Sequence, residues 1–271
     1  MLEFKERFVC FLDILGFSEI VKDHSEVQRV MAIIDGVVAE AVPTDGQKIY
    51  PTDPVRKTVF SDSIVLSILL PEDQYETIKT FRFLLHVVEQ IQLKCALGNV
   101  WMRGGISWGP LHHDVDGGNV IGHGLVKAYA VEQVATYPRV VIDPAIIPGV
   151  FRKRYGARDK KSLIKDINIT FNAPAYSGTF LYDSEKCPGN GFQGFFQDDV
   201  PLFVNYMGTI YGDKVTEAAR DKLGENIRMR LYAKHDPKIY AKYRWVIDYL
   251  KATTSVGLYL DKGLPGYISS L

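Results

Sequence analysis

Two aspartates stand where an aspartate is costly or conspicuous. Asp13 falls in the apolar run "FVCFLDI" at residues 8–14. A lone carboxylate buried in such a run costs several kcal/mol unless it is paired or binds a metal. Asp62 lies between Ser61 and Ser63 in "KTVFSDSIVLS", where one β run ends and the next begins. Asp and Ser suit a hairpin tip there and need no further role. Brought together, the two carboxylates would repel unless a cation sat between them. Two divalent ions bridged by a pair of aspartates suit phosphoryl transfer, because they activate the attacking oxygen and neutralise the leaving phosphate. The run "ILGFS", which begins directly after Asp13, would add backbone N–H groups at a helix start, where phosphates bind.

Whether the aspartates meet depends on the elements that carry them. "RFVCFLDI" reads as a buried strand, and Gly16 and Ser18 open a helical pattern that runs into "SEVQRVMAIIDGVVAEAV". "GQKIY", "KTVF" and "SIVLSILL" read as strands, and "DQYETIKTFRFLLHVVEQIQLKCA" as a long amphipathic helix. "VWMRGGISWG" is a strand with close packing at its glycines, "GNVIGHGLVKAYAVEQVA" passes from a turn into a helix, and "RVVID" is a further strand. The order β-α-β-β-α-β, then a helix and a strand, predicts an α+β chain with a ferredoxin-like antiparallel sheet and additions. The first strand of such a sheet is central, so its end and the tip of the middle hairpin can be neighbours. Residues 1–150 are expected to form this core. Residues 151–271 are expected to add an irregular β segment and closing helices, "VTEAARDKLGENIRMRLYAKH" and "PKIYAKYRWVIDYLKATT", packed on it.

Composition narrows the partners. The 271 residues carry 32 Lys plus Arg and 32 Asp plus Glu, so nothing global steers the chain toward nucleic acid or anionic membrane. "MLEFKERFVC" has no apolar signal region, and no apolar run approaches the roughly 18 residues of a membrane span, so a cytoplasmic protein is expected. Cys10, Cys95 and Cys187 are too few and too scattered for a disulfide framework or a zinc site, and are expected to be reduced and mostly buried. His112 and His113, in "PLHHDVDGG", read as exposed loop histidines, and Glu132 as structural.

"FLDILGFSEIV", "FSDSIVLS" and "RGGISWG…GNVIGHGLVKAYAVEQVA" together resemble, in order and spacing, the three core motifs of class III nucleotidyl cyclases. The likeness covers roughly residues 5–143, about half of the chain. It implies a palm-like fold acting as a homodimer with active sites shared between subunits. Asp13 and Asp62 would hold two Mg²⁺ or Mn²⁺ ions joined by the backbone carbonyl of Ile14, with Phe17 and Ser18 under the β- and γ-phosphates of a nucleoside triphosphate. The 3′-OH would attack the α-phosphorus and release pyrophosphate.

The same resemblance marks the positions that read the base. Adenylate cyclases of this class carry Lys and Asp there, and guanylate cyclases Glu and Cys; here they are Thr58 and Asn119. Buried polar groups left unpaired by the wrong base make such positions selective. Tyr50 is an aromatic able to fill the volume a pyrimidine leaves in a purine pocket. With "LVKAYAVEQVATYPRVVID" and "YAKYRWVIDYLK", the pattern looks like the stand-alone pyrimidine cyclases of the Pycsar antiphage system. Those convert UTP or CTP into a cyclic nucleotide that activates a separate effector. UTP is preferred here, with CTP the alternative. The family's transition-state Asn and Arg fall near Val126 and Ala130, which leaves Lys127, Arg139 and Arg103 as candidate cations. That departure keeps open a degenerate cyclase fold that binds nucleotide without turnover. A diguanylate cyclase is weaker still, since "GGNV" lacks that family's two adjacent acids.

Overall fold

Strand β1 (Lys5–Ile14) is apolar along most of its length because both of its faces are covered, and Phe8, Val9, Cys10 and Leu12 are each 0 % exposed. The computed structural model describes residues 2–42, 53–114, 118–152, 181–182, 202–207, 217–232 and 236–255. On one face Phe8, Cys10, Leu12 and Ile14 pack with the buried stripes of α2 (His24–Ala41) and α3 (Gln74–Leu97). On the other, Val9 and Phe11 meet Leu125 and Ala128 of α4 (His123–Gln133). That second contact requires a glycine. A Cβ on Gly105 would strike the Ala128 carbonyl oxygen and come 2.6 Å from the Glu132 nitrogen, so only glycine lets α4 lie directly on the sheet.

The remaining strands are β2 (Arg56–Phe60), β3 (Ser63–Leu69), β4 (Met102–His113), β5 (Val120–Ile121), β6 (Val140–Ile142), β7 (Leu181–Tyr182) and β8 (Phe203–Val204). The sheet runs β2-β3-β1-β4-β6-β8-β7, and β5 pairs with β4. The first four positions give the α+β, ferredoxin-like palm order expected from the sequence. All pairings are antiparallel except β4 with β6.

Two details differ from the sequence reading, and a third lies beyond what the structure describes. The helical pattern after Gly16 is broken into α1 (Phe17–Ile20) and α2, because the Asp23 side chain accepts from the backbone N–H groups of Ser25 and Glu26 and starts a new helix. Strand β4 runs on to His113, so "PLHH" is strand and not turn. The strand expected at "GQKIY", with Tyr50, lies outside the described residues, as do Cys187 and most of the stretch expected to be irregular. Cys10 and Cys95 are buried free thiols.

Beyond β6 the described residues add a π-helical turn (Ile147–Arg152) and the helices α5 (Glu217–Tyr232) and α6 (Pro237–Ser255). Both helices dock at the end of the sheet that carries Asp13. Asn226 on α5 donates to the carbonyls of Ala96 and Leu97, 2.9 Å each, satisfying acceptors at the α3 C-terminus. On α6, Trp245 is fully buried, stacks on Tyr137 at 5.2 Å and shares one apolar cluster with Leu15 and Trp101. No described helix is long and apolar enough to cross a membrane.

Candidate active site at the end of the central strand

Asp13 faces Ser63 on β3 and Arg103 on β4. The hairpin tip is held beside it by the backbone: the Ile14 N–H donates to the Asp62 carbonyl at 3.0 Å, and Ser61 takes a left-handed φ of 54° to close the turn. The neighbouring Leu15 N–H donates to the Trp101 carbonyl at 2.8 Å. Gly16, at φ +78°, then turns the chain into α1, a conformation that costs a side-chain-bearing residue energy. The two aspartates of the sequence reading therefore come together. The α1 N-cap position is Gly16, which carries no side-chain cap, and the described helix N-cap filled by a nearby aspartate uses Asp23, so Asp13 is not a helix cap.

Asp13 is not alone with Asp62. The Arg103 Nε lies 3.3 Å from Asp13 Oδ2 and in closer contact with Glu132 Oε1, which α4 carries down onto the sheet beside Gly105. The side chains of Asp13 and Arg103 are 21 % and 24 % exposed, whereas that of Glu132 is 1 % exposed. Burial pushes the Asp13 carboxyl above its ordinary range; Arg103 opposes this and the Asp62 charge adds to it. The Glu132 carboxyl is likewise raised by burial, opposed by Arg103 and reinforced by Asp13. Lys242 on α6 is half-buried against the same group, its ammonium disfavoured first by burial, then by Arg103, and favoured by Asp13.

A cation suits this arrangement chemically. Carboxylates pushed up by burial and by each other are stabilised by a nearby positive charge, and Asp13, Asp62 and the Ile14 carbonyl offer the hard oxygens that Mg²⁺ and Mn²⁺ take. Among the described residues no group of three or more His, Cys, Asp and Glu side chains could hold a metal by itself. Two carboxylates would then have to be supplemented by carbonyl, water and phosphate oxygens, which is how Mg²⁺ is usually bound beside nucleotides.

The other expected residues fall in three places. Phe17 packs against the main core while Ser18 is exposed at the start of α1. The Lys127 ammonium lies over the Trp108 ring, 4.4 Å from its centre. The Arg139 guanidinium is enclosed by the rings of Tyr137, Phe203 and Trp245 at 5.4, 5.7 and 5.4 Å, and its Nε donates to the Ala135 carbonyl. Of the three candidate cations, only Arg103 is brought to the aspartates.

Thr58 and Asn119 gather instead around the far end of β4. Here the expectation of two exposed loop histidines fails: both lie on β4, His112 is only partly exposed, and His113 is 1 % exposed because alternation along β4 turns it inward with Leu111. Its Nδ1 shares a 2.7 Å hydrogen bond with the Ser67 hydroxyl, and its Nε2 a 3.0 Å bond with the Thr58 hydroxyl. Asn119 donates its amide to Asp114 Oδ2 at 3.1 Å. Burial, then the charges of Arg7 and Arg56, lowers the His113 pKa to about 4. The unfolded chain therefore takes up this proton near pH 6.5 and the folded chain only near pH 4. Between those values stability should fall as pH falls. Urea unfolding across that window should show a shallower acid slope in His113→Gln than in the wild type; equal slopes would contradict the assignment.

Lys242, the Arg103–Glu132 contact and buried His113 escaped the sequence reading. A lysine set among "IYAKYRW", where helical spacing makes most neighbours apolar, was the available signal for the first.

No family model and no curated relative matches the chain. Among solved structures it is similar to the guanylyl cyclase Cya2, with 14 % identity over 75 % of this chain and 92 % of that one at a TM-score of 0.42. It is also similar to the adenylyl cyclase CyaB from P. aeruginosa, with 12 % identity, coverage of 75 % and 94 %, and a TM-score of 0.40. A bacterial light-regulated adenylyl cyclase matches with 14 % identity over 82 % of this chain and 58 % of that one, at a TM-score of 0.40.

Proposed function

We propose that the chain is a nucleotidyl cyclase that converts UTP into 3′,5′-cyclic UMP and pyrophosphate. The observation that carries this reading is the meeting of Asp13 and Asp62 at the end of β1, on either side of the Ile14–Asp62 backbone bond. In the reaction the ribose O3′ forms a bond to the α-phosphorus, the bond from that phosphorus to the pyrophosphate oxygen breaks, and the 3′-OH proton is lost. Bound Mg²⁺ or Mn²⁺ would activate O3′ and neutralise the leaving group. Asp13, Asp62 and the Ile14 carbonyl would hold those ions, and Phe17 and Ser18 would lie under the outer phosphates. Arg103, shared between Asp13 and Glu132, would remain anchored by Glu132 when Asp13 turns to a cation.

For the base, Asp114 is an acceptor only, so the Asn119 amide must present its NH₂ to it and direct its carbonyl oxygen elsewhere. That oxygen suits the N3–H of uracil. Thr58 supplies a hydroxyl whose position is fixed by His113, and Tyr50 would close the ring pocket. CTP is the alternative substrate, since its exocyclic amine could meet the same oxygen. A product of this kind would act as a second messenger on a separate effector in antiphage defence, as the resemblance implies.

On α4, Val126 is 63 % exposed and Tyr129 49 %, so the helix presents an apolar face at the positions where the family's transition-state residues reach across a two-fold axis. A homodimer with two equivalent sites is expected. Sedimentation at working concentration should show it, and a fully active monomer would contradict the shared site. The apolar identity of Val126, with Ala130 one turn on, also favours a second reading, a module that binds nucleotide without turnover. Incubation with each of the four NTPs and Mn²⁺, followed by mass analysis, separates these readings. cUMP as main product supports the first, cCMP moves the substrate to CTP, a purine product overturns the pocket, and bound but unchanged nucleotide supports the module.

A further inference from the structure

We propose that Lys242, on the C-terminal helix α6 and outside the ferredoxin-like core, is a polyphosphate-binding residue of the Asp13 site. The inference rests on the cyclase reading and assigns a residue on this helix to it.

The packing of α6 sets the position. Tyr243, the next residue, meets Trp101 edge-on with ring centres 5.6 Å apart. Tyr243, Trp245 and Val246 share one apolar cluster with Leu15. Leu15 follows Asp13 by two residues, Trp101 precedes Arg103 by two, and the two are joined by the backbone bond between them. A helix seated on both segments brings its adjoining, half-buried lysine close enough for the Asp13 and Arg103 charges to act on it. There the charges of Asp13 and Asp236 favour its ammonium and that of Arg103 disfavours it, and among the described residues no carboxylate lies within ion-pair distance of it.

A half-buried ammonium near a guanidinium, with no carboxylate in direct ion-pair contact among the described residues, is incompletely satisfied by the protein alone. The charges name the occupant. Asp13, Asp62, Glu132 and Asp236 against Arg103 and Lys242 leave the group two charges negative, and the two divalent cations of the cyclase reading make it positive. A linear triphosphate is then the complementary ligand, and a lysine suits it as a point charge with three donors.

The test uses inorganic tripolyphosphate with Mg²⁺ and isothermal titration of the full chain. Lys242→Met, which keeps most of the aliphatic stem against α6's neighbours, should weaken binding by about tenfold or more, the scale of one charge-assisted contact. Lys242→Arg should stay within about threefold of wild type, and neither variant should lower the thermal midpoint. Should Lys242→Met unfold, Lys242→Gln carries the same expectation. Wild-type affinity in a folded Lys242→Met or Lys242→Gln overturns the proposal, as does failure of the wild type to bind tripolyphosphate. If instead the wild type binds tripolyphosphate through Lys242 but cyclises none of the four NTPs, the cyclase reading falls and the phosphate site stands.

Discussion

Asp13→Ala and Asp62→Ala will each lower cyclisation by about 10³-fold or more and leave the chain folded. Metal ions contribute several kcal/mol of transition-state charge stabilisation. At 1.36 kcal/mol per tenfold, loss of about 4 kcal/mol gives that factor. The folded state should not suffer in proportion. Burial already disfavours the Asp13 carboxylate, and its partner Arg103 keeps Glu132 when Asp13 is removed. At Asp62 the contact that fixes the hairpin tip is a backbone carbonyl, which alanine retains. The pH dependence has a definite sign. A carboxyl raised in the folded state binds its proton more tightly there, so its contribution to stability declines as pH rises through the folded value. Asp13→Ala should remove that decline. Added Mn²⁺ should stabilise the wild type and not the variants, readable as a shift in thermal midpoint. Loss of folding in both variants, with no effect of Mn²⁺ on the wild type, would make these residues structural.

Glu132→Ala will be the more damaging change for stability. The side chain is 1 % exposed and its carboxylate is the closest partner of Arg103. Removing one member of a buried pair costs about 3–5 kcal/mol, because the other charge stays behind without compensation. Here Asp13 remains at 3.3 Å, so the lower part of that range is expected. Replacing both Arg103 and Glu132 by apolar residues of similar volume should recover much of the loss, whereas restoring Arg103 alone should not. Urea midpoints of the two single variants and the double variant form the required cycle. A Glu132→Ala change under about 1 kcal/mol would show that the contact carries little energy. Activity separates the roles further, since the apolar double variant should fold and still turn over poorly if Arg103 faces the substrate.

The frame of this site was legible in the chain because it depends on local patterns. The apolar run of β1, the Ser-Asp-Ser tip and the β-α-β-β-α-β order are enough to bring Asp13 beside Asp62, and the strand register does so. What surrounds them was not legible, because it depends on which distant elements touch. Arg139 reads as an available cation in "YPRVVID", yet aromatic rings from three separate segments enclose it. Lys127 reads as a candidate cation on α4, and nothing in that reading foretells the Trp108 ring under its ammonium. His113 is followed by the polar, turn-forming "DVDGG", and only the length of β4 shows that it points inward. Glu132 and Lys242 reach Arg103 and Asp13 from α4 and α6, whose seating depends on Gly105 and on the Trp101–Tyr243 contact. Long-range packing of this kind leaves no periodic trace in one sequence.

The proposed role of Asp13 and Asp62 in cyclisation at the α-phosphorus is tested by ³¹P NMR of UTP with the wild type and with Asp62→Asn in Mn²⁺-limited, Mg²⁺-containing buffer. The wild type should convert the α-phosphorus signal into that of a cyclic phosphodiester with one equivalent of free pyrophosphate. Asp62→Asn, or the wild type in EDTA, should leave UTP intact. Cyclic product from Asp62→Asn at the wild-type rate, or orthophosphate release with no cyclic ester from the wild type, would contradict it.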